Sequence, residues 1–388
     1  MSEQTGRDAL YMARAVELAR RAWGQTHPNP IVGALIVEER EVVAEGWHKG
    51  PGQAHAEIEA LRALGRDPAP DATLYVTLEP CCTQGRTGPC TGAIIDSGIG
   101  KVVVGAVDPN PDHAGRGLEI LRNAGIVVVQ GTLEEECTDL NLIFNHWIAT
   151  GEPFLAAKLA MTLDGKFAAA SGHSRWVTGE QAREDVMQWR RYFPAIAVGA
   201  NTVLRDNPSL TSRIDGAVFC PKRFVFDRHL KTIDAADLPK LYTDAFKENT
   251  VILCLETVDP GRKADAVEAG VRIWELPEER GHLDWAAFRV RCAKEGICGV
   301  YLECGPSLAT EIIEARKADY FFVYKAAKFM ADATAKGIGS ERQTASMSEA
   351  LYLEEVHHEI LGDDVLTRGR LAASHISRSH AKINHRHR

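Results

Sequence analysis

The chain has 388 residues, 45% hydrophobic and 25% charged, a balance that excludes disordered, collagenous and coiled-coil chains and provides for two cores. Its 45 Lys and Arg against 53 Asp and Glu give a net charge of −8, which argues against a nucleic-acid or anionic-membrane binder. No apolar run approaches the ~20 residues that span a bilayer, and Met1–Asp8 is polar with no secretory core, so a cytoplasmic protein is expected.

Asp8–Arg21 reads as a helix, with Leu10, Ala13, Val16 and Leu18 on its apolar side. Ile31–Val37 and Glu41–Glu45 read as a strand pair, and Ala56–Leu64 as a helix stopped by Gly65. Thr73–Leu78 is a strand, and Thr91–Asp96 starts a helix ended near Gly98. Lys101–Val107 reads as a buried strand ended by Asp108-Pro109-Asn110-Pro111. Leu118–Ala124 is a helix, and Ile126–Gln130 a last strand. Such alternation means a sheet with helices packed on it.

A break falls at Thr150-Gly151-Glu152-Pro153, and then the alternation restarts. Phe154–Leu159, Ile196–Val198, Phe224–Phe226, Val251–Leu255, Val271–Trp274, Gly299–Glu303 and Tyr320–Tyr324 read as strands, with Glu180–Arg191 and Asp284–Glu295 as the clearest helices. The expected organisation is α/β throughout, with one domain over 1–150, a second over 151–370, and a basic, His-rich tail over 371–388.

Nine cysteines are too sparse for a disulfide scaffold, and most are scattered packing residues. Cys81, Cys82 and Cys90 cluster, downstream of His55-Ala56-Glu57. One imidazole and two thiolates suit zinc with a fourth position open to water, and His55, Cys81 and Cys90 are the expected ligands. Cys82 is the alternative to Cys81, which directly follows Pro80. Glu57 is placed to exchange protons with a water there without ligating, the arrangement of deaminases acting on amino-pyrimidines and purines. A closed structural zinc site would need four ligands and no general base.

The second cysteine lies nine positions after the first, across Gly85-Arg86-Thr87-Gly88, where nucleobase deaminases usually show a two-residue gap. With His27-Pro28-Asn29-Pro30-Ile31-Val32-Gly33, Gly46-Trp47-His48, and Asp108-Pro109-Asn110-Pro111 followed by Gly115-Arg116-Gly117, this stretch resembles the deaminase domain of the bifunctional riboflavin-biosynthesis deaminase–reductases. Residues 153–367 resemble the reductase domain of the same family, through Lys158–Lys166, Ser174–Gly179, Val198–Arg213 and Glu303–Leu308.

The resemblance implies a cytidine-deaminase-like three-layer domain followed by a dihydrofolate-reductase-like α/β domain. It implies zinc and NADPH as cofactors, phosphorylated pyrimidines as substrates, and a homo-oligomer without nucleic-acid or membrane partners. Asn29, His48, Arg86, Asp108 and Asn110 would contact the first substrate. Ala160, Trp176, Thr202, Asp206, Gly305, Pro306 and Ser307 would hold NADPH. Ser174, Arg190, Leu210, Arg213 and Glu303 would hold the second substrate. The family has a second glycine where Cys304 stands, and Pro194 interrupts the segment before Ala195-Ile196, so a single-activity deaminase with a structural second domain is the alternative.

Overall fold

The computed structural model describes residues 3–83, 88–339 and 343–372. The chain divides into two compact units, Met1–Glu152 and Pro153–Arg388.

In the first unit, strands β1 (Gly33–Glu38), β2 (Glu41–Trp47), β3 (Thr73–Leu78), β4 (Lys101–Ala106) and β5 (Val127–Gln130) form a sheet in the order β2-β1-β3-β4-β5. β1 runs antiparallel to β2 and β3, whereas β3, β4 and β5 are parallel. The helices are α1 (Glu3–Arg20), α2 (Ala56–Leu64), α3 (Cys90–Asp96), α4 (Arg116–Asn123), α5 (Glu134–Asp139) and α6 (Leu142–Thr150).

Side chains of a strand alternate between faces, and each face here has its own core. Ala34, Ile36, Leu74, Val76, Val102 and Val104 pack with Ala56 and Ala60 of α2, Ile94 of α3 and Leu118 of α4. Leu35, Tyr75 and Val103 pack with Met12, Ala15 and Leu18 of α1, Cys137 of α5 and Phe144 of α6. A sheet apolar on both faces must be covered on both, which gives three layers.

Two glycines bring helices against the sheet. A Cβ on Gly33 would stand 2.0 Å from the Ala15 carbonyl oxygen of α1, and one on Gly46 would stand 2.4 Å from both the Ala56 oxygen and the Ala60 nitrogen of α2.

In the second unit the strands are β6 (Phe154–Thr162), β7 (Ala195–Gly199), β8 (Ser212–Ile214), β9 (Ala217–Phe219), β10 (Lys222–Phe226), β11 (Thr250–Leu255), β12 (Arg272–Leu276), β13 (Glu278–Glu279), β14 (His282–Leu283), β15 (Gly299–Glu303), β16 (Tyr320–Ala326), β17 (Leu353–Leu361) and β18 (Asp364–Leu371). Nine of them form one sheet, β12-β11-β10-β7-β15-β6-β16-β18-β17, parallel up to β16 and antiparallel beyond it. The helices are α7 (Glu180–Tyr192), α8 (Ala200–Asp206), α9 (Lys240–Thr243), α10 (Pro260–Glu268), α11 (Trp285–Lys294) and α12 (Pro306–Ala315).

β18 runs through Leu371, the first residue of the expected tail, and residues 373–388 lie outside the described part. Among the described residues no helix is long and apolar enough to cross a membrane.

Gly46→Ala is expected to destabilise the first unit by ~1–3 kcal/mol, because the added methyl overlaps the backbone of α2. Denaturant unfolding should show an earlier transition for this unit and an unchanged one for the second.

Candidate functional site

The first unit assembles its site from three chain segments. His55 is the N-cap residue of α2 and makes no side-chain capping bond, so its ring is available for other work. Cys81 follows the end of β3, and Cys90 opens α3. The His55 Nδ1 atom lies 3.2 Å from Cys90 Sγ and 3.5 Å from Cys81 Sγ, and the ligand atoms of all three residues lie within 4.8 Å of one another. Tetrahedral zinc, with Zn–S ~2.3 Å and Zn–N ~2.0 Å, sets ligand atoms roughly 3.5–3.8 Å apart, so the donor set fits this metal.

Cys82 is directed elsewhere, with its Sγ 3.4 Å from His113 Nδ1. The Cys81 thiol is pulled down to about 4, first by the hydrogen bond from the Cys90 thiol and also by those from His55 and the Cys90 amide. The Cys90 thiol is pushed up by the same bond and by burial. The His55 ring is raised, first by its bond to Cys81.

Glu57, in the first turn of α2, is 3% exposed, and burial pushes its carboxyl up to about 7. A group poised near neutrality suits proton transfer in either direction.

Around this cluster, Asn29 closes a turn in which its amide donates to the Thr26 carbonyl at 2.8 Å. His48 stands edge-on to His55, with ring centroids 5.4 Å apart. Its Nδ1 donates to the Ala54 carbonyl at 3.1 Å, which leaves Nε2 to accept from Asn29 Nδ2 at 3.5 Å. Burial lowers the His48 pKa, so the ring is held neutral.

Asp108 is buried and raised, first by that burial, and its Oδ1 accepts from the Asn110 amide at 2.8 Å. The Asn110 side chain in turn accepts from the Asp112 amide at 3.0 Å. Asn29, His48, Asp108 and Asn110 are thus each fixed by local bonds. Arg86 lies outside the described residues.

The second unit holds a cleft of about 1160 Å³ at the carboxyl ends of its parallel strands, where open α/β sheets bind ligands. That volume exceeds the ~300–1,000 Å³ of a single drug-sized ligand site and suits a cofactor together with a substrate. Ala160, Ser174, Trp176, Arg190, Thr202, Asp206, Leu210, Arg213, Glu303, Gly305, Pro306 and Ser307 all line it.

β7 and β15 are parallel neighbours, and each runs directly into a helix, α8 and α12. Gly305 caps α12, with Pro306 in the first turn, and a Cβ on Gly305 would lie 3.4 Å from Thr202 Oγ1 of α8. Backbone N–H groups at such helix starts suit phosphate. Cys304 does not obstruct them, since its buried sulfur is 3.2 Å from the Leu302 carbonyl. Trp176 is 66% exposed and stacked under the Arg183 guanidinium at 4.8 Å, which leaves an aromatic surface at the cleft.

Arg190 and Glu303 pair with each other through two bonds, 2.6 and 2.9 Å long, and Arg190 also donates to the Thr211 carbonyl at 2.9 Å. Burial pushes the Glu303 carboxyl up, and the Arg190 charge and hydrogen bonds more than reverse this, so its pKa lies below the usual range. Among the described residues Arg213, exposed, bonds only the neighbouring Thr211 hydroxyl at 3.2 Å and is the more open cation of the two.

Three residues beyond the expected set belong to these sites. Lys158 lines the cleft, is paired in register with Glu303, and has its pKa lowered by burial. Its signal is a lysine inside the apolar strand Phe154–Thr162. Glu79, at the end of β3, binds the segment that carries Asp108. Arg223, fully buried, donates to six oxygens: those of Thr250 Oγ1, the Ser209, Leu241 and Phe246 carbonyls, and both carboxylate oxygens of Asp244. It thereby ties down the loop before Leu210 and Arg213.

Cys90→Ser is expected to lose most of the zinc held by the wild type, because an alcohol is a far weaker zinc ligand than a thiolate. Metal analysis of the purified proteins checks this, and an undiminished zinc content would remove Cys90 from the ligand set.

Residues 153–367 match the RibD C-terminal domain family, and residues 5–106 match the cytidine and deoxycytidylate deaminase zinc-binding region. The riboflavin biosynthesis protein RibD of Actinobacillus pleuropneumoniae is 40% identical over 94% of this chain and 96% of its own length. That of Synechocystis is 41% identical over 95% and 97%. The crystal structure of a diaminohydroxyphosphoribosylaminopyrimidine deaminase/5-amino-6-(5-phosphoribosylamino)uracil reductase from Thermotoga maritima covers 95% of this chain and all of its own, with 32% identity and a TM-score of 0.77. Two domain matches in order, and relatives spanned almost end to end, leave the alternative of a lone deaminase without support. The chain belongs to the RibD family of bifunctional riboflavin-biosynthesis enzymes, with a zinc-dependent deaminase domain ahead of an NADPH-dependent reductase domain.

Proposed function

We propose that the first unit hydrolytically deaminates 2,5-diamino-6-(5-phosphoribosylamino)pyrimidin-4-one, and that the second reduces the ribosyl chain of the product, 5-amino-6-(5-phosphoribosylamino)uracil, to ribityl. The observation that carries this reading is the buried carboxyl of Glu57 two residues from the histidine of a His–Cys–Cys cluster, a base beside an incomplete ligand set. The deaminase and reductase activities named for the Thermotoga maritima protein support the choice of substrates.

His55, Cys81 and Cys90 hold the metal in this reading. Zinc, when bound, activates water as a nucleophile at neutral pH. Glu57 takes the protons of the attacking water in turn, passing one to the adjacent ring nitrogen and the other to the ring amino group. That group leaves as ammonia while the ring carbon gains the carbonyl oxygen. Asn29, the neutral His48, Asp108 and Asn110 read the polar edge of the pyrimidine, and Arg86 meets the phosphate.

In the second unit NADPH supplies the hydride. Ala160, Trp176, Thr202, Asp206 and the Gly305–Ser307 turn hold the cofactor. Ser174, Leu210 and the Arg190–Glu303 pair shape the substrate side, and Arg213 takes the phosphate. The work of these residues is orientation and charge stabilisation around the carbon that receives hydride. We place the enzyme in the cytoplasm, as a homo-oligomer whose partners are these small molecules and which engages neither nucleic acid nor membrane.

Incubation with the diaminopyrimidinone substrate, with and without NADPH, tests the reading by product mass: the deaminated uracil, with the amino group replaced by oxygen, without NADPH, and the ribityl product with it. Glu57→Gln should keep its zinc and lose ~10²–10⁴-fold of the deamination rate, and a variant with wild-type ammonia release would refute the assigned role. Arg213→Ala should raise the reductase KM roughly ten- to a hundredfold through loss of a charge-assisted phosphate contact. NADPH binding by fluorescence titration and deamination should both stay at wild-type levels. A weakened NADPH affinity would instead move Arg213 to the cofactor side.

A further inference from the structure

The Glu79 carboxylate is 4% exposed, and a buried charge must be satisfied. Among the described residues its hydrogen-bond donors are three backbone amides. Oε2 accepts from Asp108 at 3.2 Å and from Gly115 at 2.9 Å, and Oε1 accepts from Gly117 at 2.8 Å. All three donors lie in the 108–117 segment, which also carries Asn110. Two of them stand at the start of α4, where the helix dipole favours a carboxylate. The Glu79 amide donates to the Ala106 carbonyl at 2.9 Å, so its main chain is fixed to the end of β4 from which that segment departs.

Two residues further on is Cys81. The short span Glu79-Pro80-Cys81 therefore has a sulfur ligand at one end and the whole Asp108 segment at the other, with the proline ring restricting φ between them. The far side of the clamp has no slack. A Cβ on Gly117 would stand 2.3 Å from the Pro80 carbonyl oxygen and 3.0 Å from Glu79 Oε1. His113 adds a second tie, with its Nδ1 3.5 Å from the Cys82 amide.

We infer that Glu79 is a positioning residue for deamination: its carboxylate sets where Asp108 and Asn110 stand relative to the Cys81 ligand. This rests on the reading that Asp108 and Asn110 contact the pyrimidine. Glu79 itself touches neither substrate nor metal. Its loss should weaken substrate binding while leaving the ligand set intact.

The test uses the full chain as wild type, Glu79→Gln and Gly117→Ala, with deaminase kcat and KM, bound zinc and NADPH-dependent reduction measured on each. Glutamine keeps the side-chain volume but presents an NH2 to backbone donors and removes the charge. Gly117→Ala pushes on the clamp from the other side with the charge retained. Both variants are expected to raise the deaminase KM roughly ten- to a hundredfold with kcat changing far less, the signature of lost uniform binding. Zinc content and reduction should match the wild type. A wild-type KM in both variants overturns the inference, as does a joint loss of zinc and kcat at unchanged KM, which would make Glu79 a support of the fold alone. Should Glu79→Gln not fold, the KM of Gly117→Ala decides. A wild type that releases no ammonia would refute the deaminase reading itself, and the inference with it.

Discussion

One ring nitrogen and two sulfurs, from segments 26 and 9 residues apart in sequence, have to stand within 4.8 Å of one another, and the first unit is organised around that convergence. Two of the three donors sit at helix starts, and the third follows a central strand. The parallel pairing of β3 with β4 brings the loops at their carboxyl ends to the same edge of the sheet. The close approach of α2, possible only because residue 46 has no side chain, places His55 and Glu57 against that edge. The thiolate on Cys81 then explains the electrostatics nearby: it raises His55 by hydrogen bonding and adds to the burial that raises Glu57.

The second unit solves a different problem, that of keeping charge beneath a cleft. Lys158, Arg190 and Glu303 bring two cations and one anion into the interior on β6, α7 and β15. Removing one partner of such a buried pair costs ~3–5 kcal/mol, because the other charge is left alone. The pair is therefore a fixed wall, and the guanidinium of Arg213 is the exposed cation beside it. Fixed charge under a site that takes phosphorylated ligands also needs no reorganisation when they arrive.

Much of this was legible in the sequence, for physical reasons that differ from element to element. The strands β3, β4 and β5 of the first unit read clearly because each is a short apolar run ended within two residues by Pro, Asp or Gly. α1 begins at Glu3, before the expected Asp8, since its first turn carries no apolar residue to give a period. β17, Leu353–Leu361, was not visible at all: it is the outermost strand, rich in Glu and His and largely exposed, so it lacks the alternation that burial imposes. α12 was legible only as an unbounded helix following the Gly305-Pro306 turn. Among the site residues, those with metal-ligand chemistry stood out by spacing. Glu79 and Arg223 did not, because all the donors to Glu79 and half the acceptors of Arg223 are main-chain groups, which no side-chain pattern announces.

Arg223 joins residues 209, 241, 244, 246 and 250 to one permanently charged group with no exposed surface. If the Leu241–Phe246 stretch alone swung away, a guanidinium would be stripped of most of its acceptors while still enclosed by protein. The intermediate step is thus the costly one, and the segments around Arg223 open together or stay shut. The loop that presents Leu210 and Arg213 consequently shares the opening free energy of its surroundings rather than fluctuating on its own, and its amides should exchange with solvent as members of one cooperative unit.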